Sequence, residues 1–234
     1  RTGTVVDPLN GLPDLSAGRV RFIEDASQRI REDYLRTLRF FRFHAYYADP
    51  YQGWDADALA GIAANLDGLE TLSAERVGSE MIMLLAAPDP APALAVMAQT
   101  GVLGCVLPGA DVTLVAPLIH LEHSAGIGPD PMARLAALGG EDVTQRLRLS
   151  RSDQRRLESI RTQSVGIYAP KATGYVAGER AGLGAILLRF AMANTLLDAA
   201  SVSAVKDGAA AVFRWPRSRP IGWPRNSQKP KDSF

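Results

Sequence analysis

Arg31-Glu32-Asp33-Tyr34-Leu35-Arg36-Thr37-Leu38-Arg39-Phe40-Phe41-Arg42-Phe43 is the stretch whose reading decides the fold. It lies in a run from Ser27 with no Gly or Pro until Pro50, preceded by Asp25 and Ser27 as alternative N-caps, so the sequence predicts one continuous helix to Ala48. At about 100° per residue, Ile30, Tyr34, Leu38, Phe41, Ala45 and Ala48 fall on one side and should be buried. Arg29, Glu32, Asp33, Arg36, Arg39, Phe43 and Tyr47 fall on the other. A face this charged calls for water or a ligand.

Two readings of that face compete. Glu32 and Arg36 form an i,i+4 pair that would stabilise any exposed helix by about 0.2–0.5 kcal/mol. Asp33 and Arg36, one turn apart, would set an acceptor-only carboxylate beside a donor-only guanidinium. Cytosine and adenine each present an amino donor next to a ring-nitrogen acceptor, and so match that pair. Guanine and uracil present the reverse order and would leave polar groups facing like partners, which penalises them heavily. Arg39 and Arg42 continue along the helix, placed for a triphosphate, for holding Asp33, or for an RNA phosphate.

Upstream, short β-like runs alternate with turn residues: Thr4 to Val6, Asp7-Pro8-Leu9-Asn10-Gly11, then Arg19-Val20-Arg21-Phe22-Ile23. Two such strands alone are marginal and would complete a sheet from elsewhere. Downstream, helices are expected from Asp55 to Leu66 and from Ser73, with Glu75 in the first turn, to about Ala87. Pro88, Pro90 and Pro92 suggest a hinge. Helical periods then cover Ala93–Thr100, Thr113–His123, Met132–Ala137, Ser152–Gln163, Gly184–Ala199 and Ala204–Val212. From Trp215 to Phe234 the chain is polar, basic and proline-containing, as in a disordered tail with a possible RNA contact.

The composition narrows the field. The 234 residues are 47% hydrophobic, enough for one large or two small cores. Lys and Arg number 26 against 25 Asp and Glu, so any basic surface is local. Cys105 is alone in an apolar stretch, cannot form an internal disulfide, and reads as a small buried hydrophobe in a reducing compartment. With no signal-peptide pattern and no apolar run of about 18 residues, the expectation is a cytoplasmic protein with no membrane partner. His44, His120 and His123 have no second ligand cluster, which argues against a metal site, and Gly126-Ile127-Gly128 lacks the third glycine of a dinucleotide loop.

Taken in order, Asp7 to Leu15, Arg19 to Ile23, Glu32 to Phe43 and Ser73-Ala74-Glu75-Arg76-Val77-Gly78-Ser79-Glu80-Met81 resemble bacterial class II tRNA nucleotidyltransferases and the related poly(A) polymerases. Arg146-Leu147-Arg148-Leu149-Ser150 and the polar helix after it are also similar, more loosely. The resemblance implies a mainly α protein: a remnant of the nucleotidyltransferase head with short β segments (1–26), a neck that recognises the base (27–87), a helical body (88–213) and the tail (214–234). It implies that Asp33, Arg36, Arg39 and Arg42 contact the nucleotide, with Glu32 in the same motif. Asp7 and Gly11 would belong to a flexible element, and Glu75 and Arg76 to a bracing motif.

The implied activity is addition of C, C and A to the tRNA 3′ end from CTP and ATP, with Mg2+ held by two head carboxylates. Neither those carboxylates nor the head's glycine-rich helix is in the sequence, and the chain opens abruptly at Arg1, so it reads as a fragment without catalysis of its own. Addition of A alone, as in poly(A) polymerases, and a non-catalytic helical RNA-binding domain are the alternatives.

Overall fold

The computed structural model describes residue 3 and residues 6–213, so the tail expectation lies outside the described residues. The chain is an array of helices, as expected. The β segment expected at Arg19–Ile23 is not formed, and no strand occurs among the described residues, which include only Val6 of the Thr4–Val6 run. Instead Leu12–Ser16 is a short helix, α1, and Arg19–Ile23 runs as irregular chain. A strand needs a partner for its backbone groups, and none is at hand here. Phe22 is held by its ring, stacked on Phe40 at a centroid distance of 5.4 Å.

The predicted helix from Ser27 to Ala48 is two helices. Asp25 caps the first, α2 (Ala26–Glu32), accepting from the Gln28 N–H at 2.6 Å. At Asp33 the backbone turns extended, with φ −156° and ψ 103°, and α3 (Leu35–Tyr47) begins two residues later. The Asp33 carboxylate accepts from the Leu35 N–H at 3.1 Å, so the side chain competes with the helix for backbone donors. The break also rotates the two halves relative to one another. Leu35, Thr37 and Phe40 are therefore buried besides the predicted Ile30, Leu38 and Phe41, whereas Tyr34, Ala45 and Ala48 are only partly covered.

Next come α4 (Ala56–Ala63), a 3-10 turn (Leu66–Thr71) and α5 (Ala74–Leu85), capped by Asp55 and Ser73 at its two α-helical starts. Gly68 lies under the Tyr34 ring so closely that a Cβ would stand 1.9 Å from a ring carbon. The body continues as α6 (Ala91–Gln99), α7 (Val102–Val106), α8 (Val115–Ser124), α9 (Pro131–Leu138), α10 (Val143–Arg146), α11 (Arg151–Val165), α12 (Pro170–Met192) and α13 (Ala199–Phe213). Helix α12 starts well before the expected Gly184 and kinks at Gly178. Some of its glycines are contact points: at Gly174 a Cβ would come within 2.0 Å of the Val205 carbonyl oxygen on α13.

One apolar core runs from Ile30 and Phe41 through Met81 and Leu85 to Leu94, Leu135 and Ile160, so the segments on either side of the prolines are packed together. The proline segment between them is bolted rather than free to hinge. Arg134, fully buried on α9, donates to the carbonyls of Leu85, Ala87 and Pro88 and to the buried Glu122 carboxylate at 2.7 Å. The guanidinium thus satisfies carbonyls that the end of α5 and the prolines leave without donors.

Candidate nucleotide-binding site

The break between α2 and α3 sets the charged residues into two groups. Asp33 faces α5, where Arg76 Nη2 donates to both of its carboxylate oxygens, at 2.9 and 3.0 Å. Arg36 turns the other way and donates Nη1 to the Glu32 carboxylate at 2.5 Å and to the Arg29 carbonyl at 2.7 Å. Asp33 and Arg36 make no ion pair with each other among the described residues. Each residue is instead held by a partner of its own. Glu32 also accepts from Arg29, and the hydrogen bond from Arg36 is the main reason its carboxyl sits below the usual carboxylate range.

Arg39 and Arg42 converge on one acceptor that the sequence did not single out. The Glu80 side chain, 6% exposed, receives Arg39 Nε on one oxygen at 3.1 Å and Arg42 Nε on the other at 2.7 Å. A carboxylate this buried is tolerable because both oxygens are charge-paired. Because each arginine is bound through Nε, its two Nη groups are left for other acceptors. The signal was present in the sequence: Arg76 and Glu80 are i,i+4 on α5 and so share a face against α3.

Arg36, Arg39, Arg42 and Glu80 line a cavity of about 420 Å³ together with Arg21, Arg29 and the ring of Phe40. Five guanidiniums and the Glu80 carboxylate line it; Glu32 and Asp14 offset part of the charge of Arg29, Arg36 and Arg21, and the wall keeps a net positive charge suited to a phosphate chain. Arg21 and Arg29 are additions to the sequence reading. The irregular segment Val20–Ile23 closes one side, and an adjoining cavity of about 330 Å³ shares its Arg21, Ile23 and Phe43 walls. Gly11 lines this second space, and Asp7 is tied to it by a hydrogen bond. Asp7 accepts from the N–H groups of Leu12 and Gly11, both at 2.8 Å, which lowers its pKa, Leu12 contributing most. Gly11 has an ordinary φ of −84°.

Glu75 is exposed and pairs with Arg148 at 3.4 Å, while its neighbour Arg76 reaches Asp33 directly. Arg76 thus belongs to the candidate site as a contact of Asp33. Among the described residues no three His, Cys, Asp or Glu side chains come together in a way that could hold a metal ion. The Mg2+ implied by the resemblance therefore has no fitting ligand set in them. Cys105 is half-buried in α7, and burial raises its thiol pKa. No helix among the described residues is long and apolar enough to cross a membrane.

Residues 55–114 match the family described as "Probable RNA and SrmB- binding site of polymerase A". The chain is 34% identical over 157 residues to the mouse mitochondrial CCA tRNA nucleotidyltransferase 1, covering 65% of this chain and 36% of that protein. It is 37% identical over 107 residues to the CCA-adding enzyme of Geobacillus thermodenitrificans, covering 46% of this chain and 26% of the relative. A solved structure of a CCA-adding enzyme in an apo form shares the fold over 89% of this chain and 53% of its own, with a TM-score of 0.58 at 16% identity. The chain spans about a third of the length of the mouse relative. Over the residues they share, the chain is similar to CCA-adding tRNA nucleotidyltransferases, and its residues 55–114 to the RNA-binding segment of polymerase A.

Proposed function

We propose that this chain supplies the base-selecting and RNA-binding part of a CCA-adding nucleotidyltransferase, which extends the tRNA 3′ end with C, C and A from CTP and ATP. Residues 27–87 act as the neck that chooses the nucleotide, and residues 88–213 as the helical body behind it. The observation that carries the reading is the arginine-walled cavity lined by Arg36, Arg39 and Arg42; Asp33 is not among its lining residues and is anchored separately, on Arg76.

Asp33 Oδ1 is taken up by Arg76 and the Leu35 N–H, but Oδ2 has a lone pair beyond the one facing Arg76 and so can accept from an exocyclic amino group. Arg36, fixed through Nη1, retains donors for a ring nitrogen. Their partners hold both groups before the nucleotide arrives, which lowers the ordering cost of binding. Arg39 and Arg42, steadied by Glu80, are turned to the phosphates. The transfer step needs metal-binding carboxylates beyond the residues described, and the Mg2+ requirement belongs to that part.

Equilibrium binding of the four ribonucleoside triphosphates tests the reading. CTP and ATP should bind ahead of UTP and GTP, with Asp33→Ala and Arg36→Ala each reducing that preference by about tenfold or more. Unchanged preference in both variants would sink it. The matched family also names a polymerase A, so addition of A alone is the second reading. Sequencing the ends of tRNA extended by the full-length gene product separates the two: -CCA ends support the first, and A-tracts the second.

A further inference from the structure

Arg148 stands out on backbone grounds. Its φ is +45°, in the left-handed region that glycine and asparagine populate readily and a long side chain does not. It follows α10 at the position where a helix commonly ends in glycine: the Arg148 N–H donates to the Gln145 carbonyl at 3.2 Å and the Leu149 N–H to the Thr144 carbonyl at 3.1 Å. An arginine there carries strain that a glycine would relieve, so something other than the turn must favour the cation.

The surroundings narrow what that is. The turn is stiff and tightly seated, since a Cβ at Gly78 on α5 would stand 1.9 Å from the Leu147 carbonyl oxygen, and Gln154 Nε2 donates to the Leu149 carbonyl at 2.7 Å. The Arg148 side chain is 69% exposed, and its one ion pair among the described residues is loose, 3.4 Å to the equally open Glu75. Glu75 precedes Arg76, the residue that holds Asp33. Just beyond, Arg151 and Arg155 are exposed at i,i+4 on the first turns of α11, with no ion pair among the described residues. A weakly paired pair such as Glu75–Arg148 dissolves easily in water, leaving the guanidinium to an incoming anion.

We infer that Arg148, with Arg151 and Arg155, forms a contact for the phosphodiester backbone of RNA at the edge of the base-selecting site. The inference rests on the RNA-binding part of the reading above, and it fixes where the RNA lies: along the α10–α11 turn, past Glu75. It explains why the turn is rigid, why its cation is open, and why a strained residue is kept at its tip.

Binding of a transcribed tRNA to the chain, measured over a range of KCl concentrations, tests it. Arg148→Gly should raise the thermal midpoint, because the strain is relieved, and at the same time weaken tRNA binding by about three- to tenfold and make the salt slope shallower by about one. Arg148→Lys should keep most of the slope, and Arg151→Ala with Arg155→Ala should lower it by about two. Unaltered affinity and slope in the glycine variant and in the double variant overturn the inference, as does a wild-type chain that does not bind tRNA. The base preference is scored separately on the same proteins. Its absence, with the tRNA slope still responding at Arg148, would remove the nucleotide reading and leave this one standing.

Discussion

Arg76 donates a single Nη2 group to both carboxylate oxygens of Asp33, 43 residues earlier in the chain, and so ties the break between α2 and α3 to the first turn of α5. Asp33 therefore has two structural duties, accepting from Arg76 and from the Leu35 N–H, before any ligand is considered. Its orientation depends on the arginine.

Removal of that arginine should act on base choice more than on folding. The Arg76 side chain is 48% exposed, so the ion pair contributes only modestly to stability, within about 1 kcal/mol. Arg76→Ala is expected to weaken CTP binding by about tenfold while leaving the urea midpoint nearly unchanged, and Arg76→Lys to restore part of the affinity. Titration of CTP against the three proteins, with parallel denaturation curves, checks both halves.

Glu80 is the opposite case. Its side chain is 6% exposed between Arg39 and Arg42, the latter 17% exposed. Glu80→Ala leaves two guanidiniums crowded without a counter-charge, at a cost of about 3 kcal/mol in unfolding free energy. Glu80→Gln should cost less, because the amide oxygen still accepts one of the two hydrogen bonds. Chemical denaturation gives the stabilities, and triphosphate affinity should fall in the same order.

Glu32 should report the state of Arg36. Its pKa is lowered chiefly by the hydrogen bond from Arg36 and, after the opposing effect of desolvation, by the hydrogen bond from Arg29. A carboxyl with a depressed folded-state pKa contributes stability above its unfolded pKa, and that contribution is lost as pH falls through the folded value. Carboxyl NMR titration should place Glu32 below the ordinary value of 4.5, and Arg36→Ala should return it upward. A titration indifferent to Arg36 would mean that the pair does not persist in solution.

Arg134 and Glu122 give a double-mutant test of how the end of α5 is joined to α8 and α9. Both side chains are fully buried, and Arg134 also binds the Leu85 and Ala87 carbonyls. Arg134→Met alone should destabilise by about 3–5 kcal/mol, because Glu122 and those carbonyls lose their donor. Adding Glu122→Leu should recover a substantial part of that, the interaction energy being read from the cycle of denaturation curves. Desolvation already pushes the Glu122 carboxyl up against the opposing pull of Arg134, which is why its isolation is expected to be costly.

The sequence by itself determined the helical character of this protein, the capped starts at Asp25, Asp55 and Ser73, and the presence of the charged residues that make the site. These are local properties, set by periodicity and by side chains bonding to nearby backbone. Glu32 and Arg36 also meet, but across the break at Asp33, so helical i,i+4 spacing alone does not account for their contact. What the tertiary structure decided is the interruption at Asp33, the pairing of Asp33 with Arg76 and not with Arg36, and the convergence of Arg39 and Arg42 on Glu80. Those contacts join α2 and α3 to α5 across about 40 residues of sequence, and a chain read residue by residue carries no distance between segments. The long helix α12 escaped for a related reason. Glycine weakens an isolated helix, but here it admits α13 into close contact, and that packing gain exists only once both helices are in place.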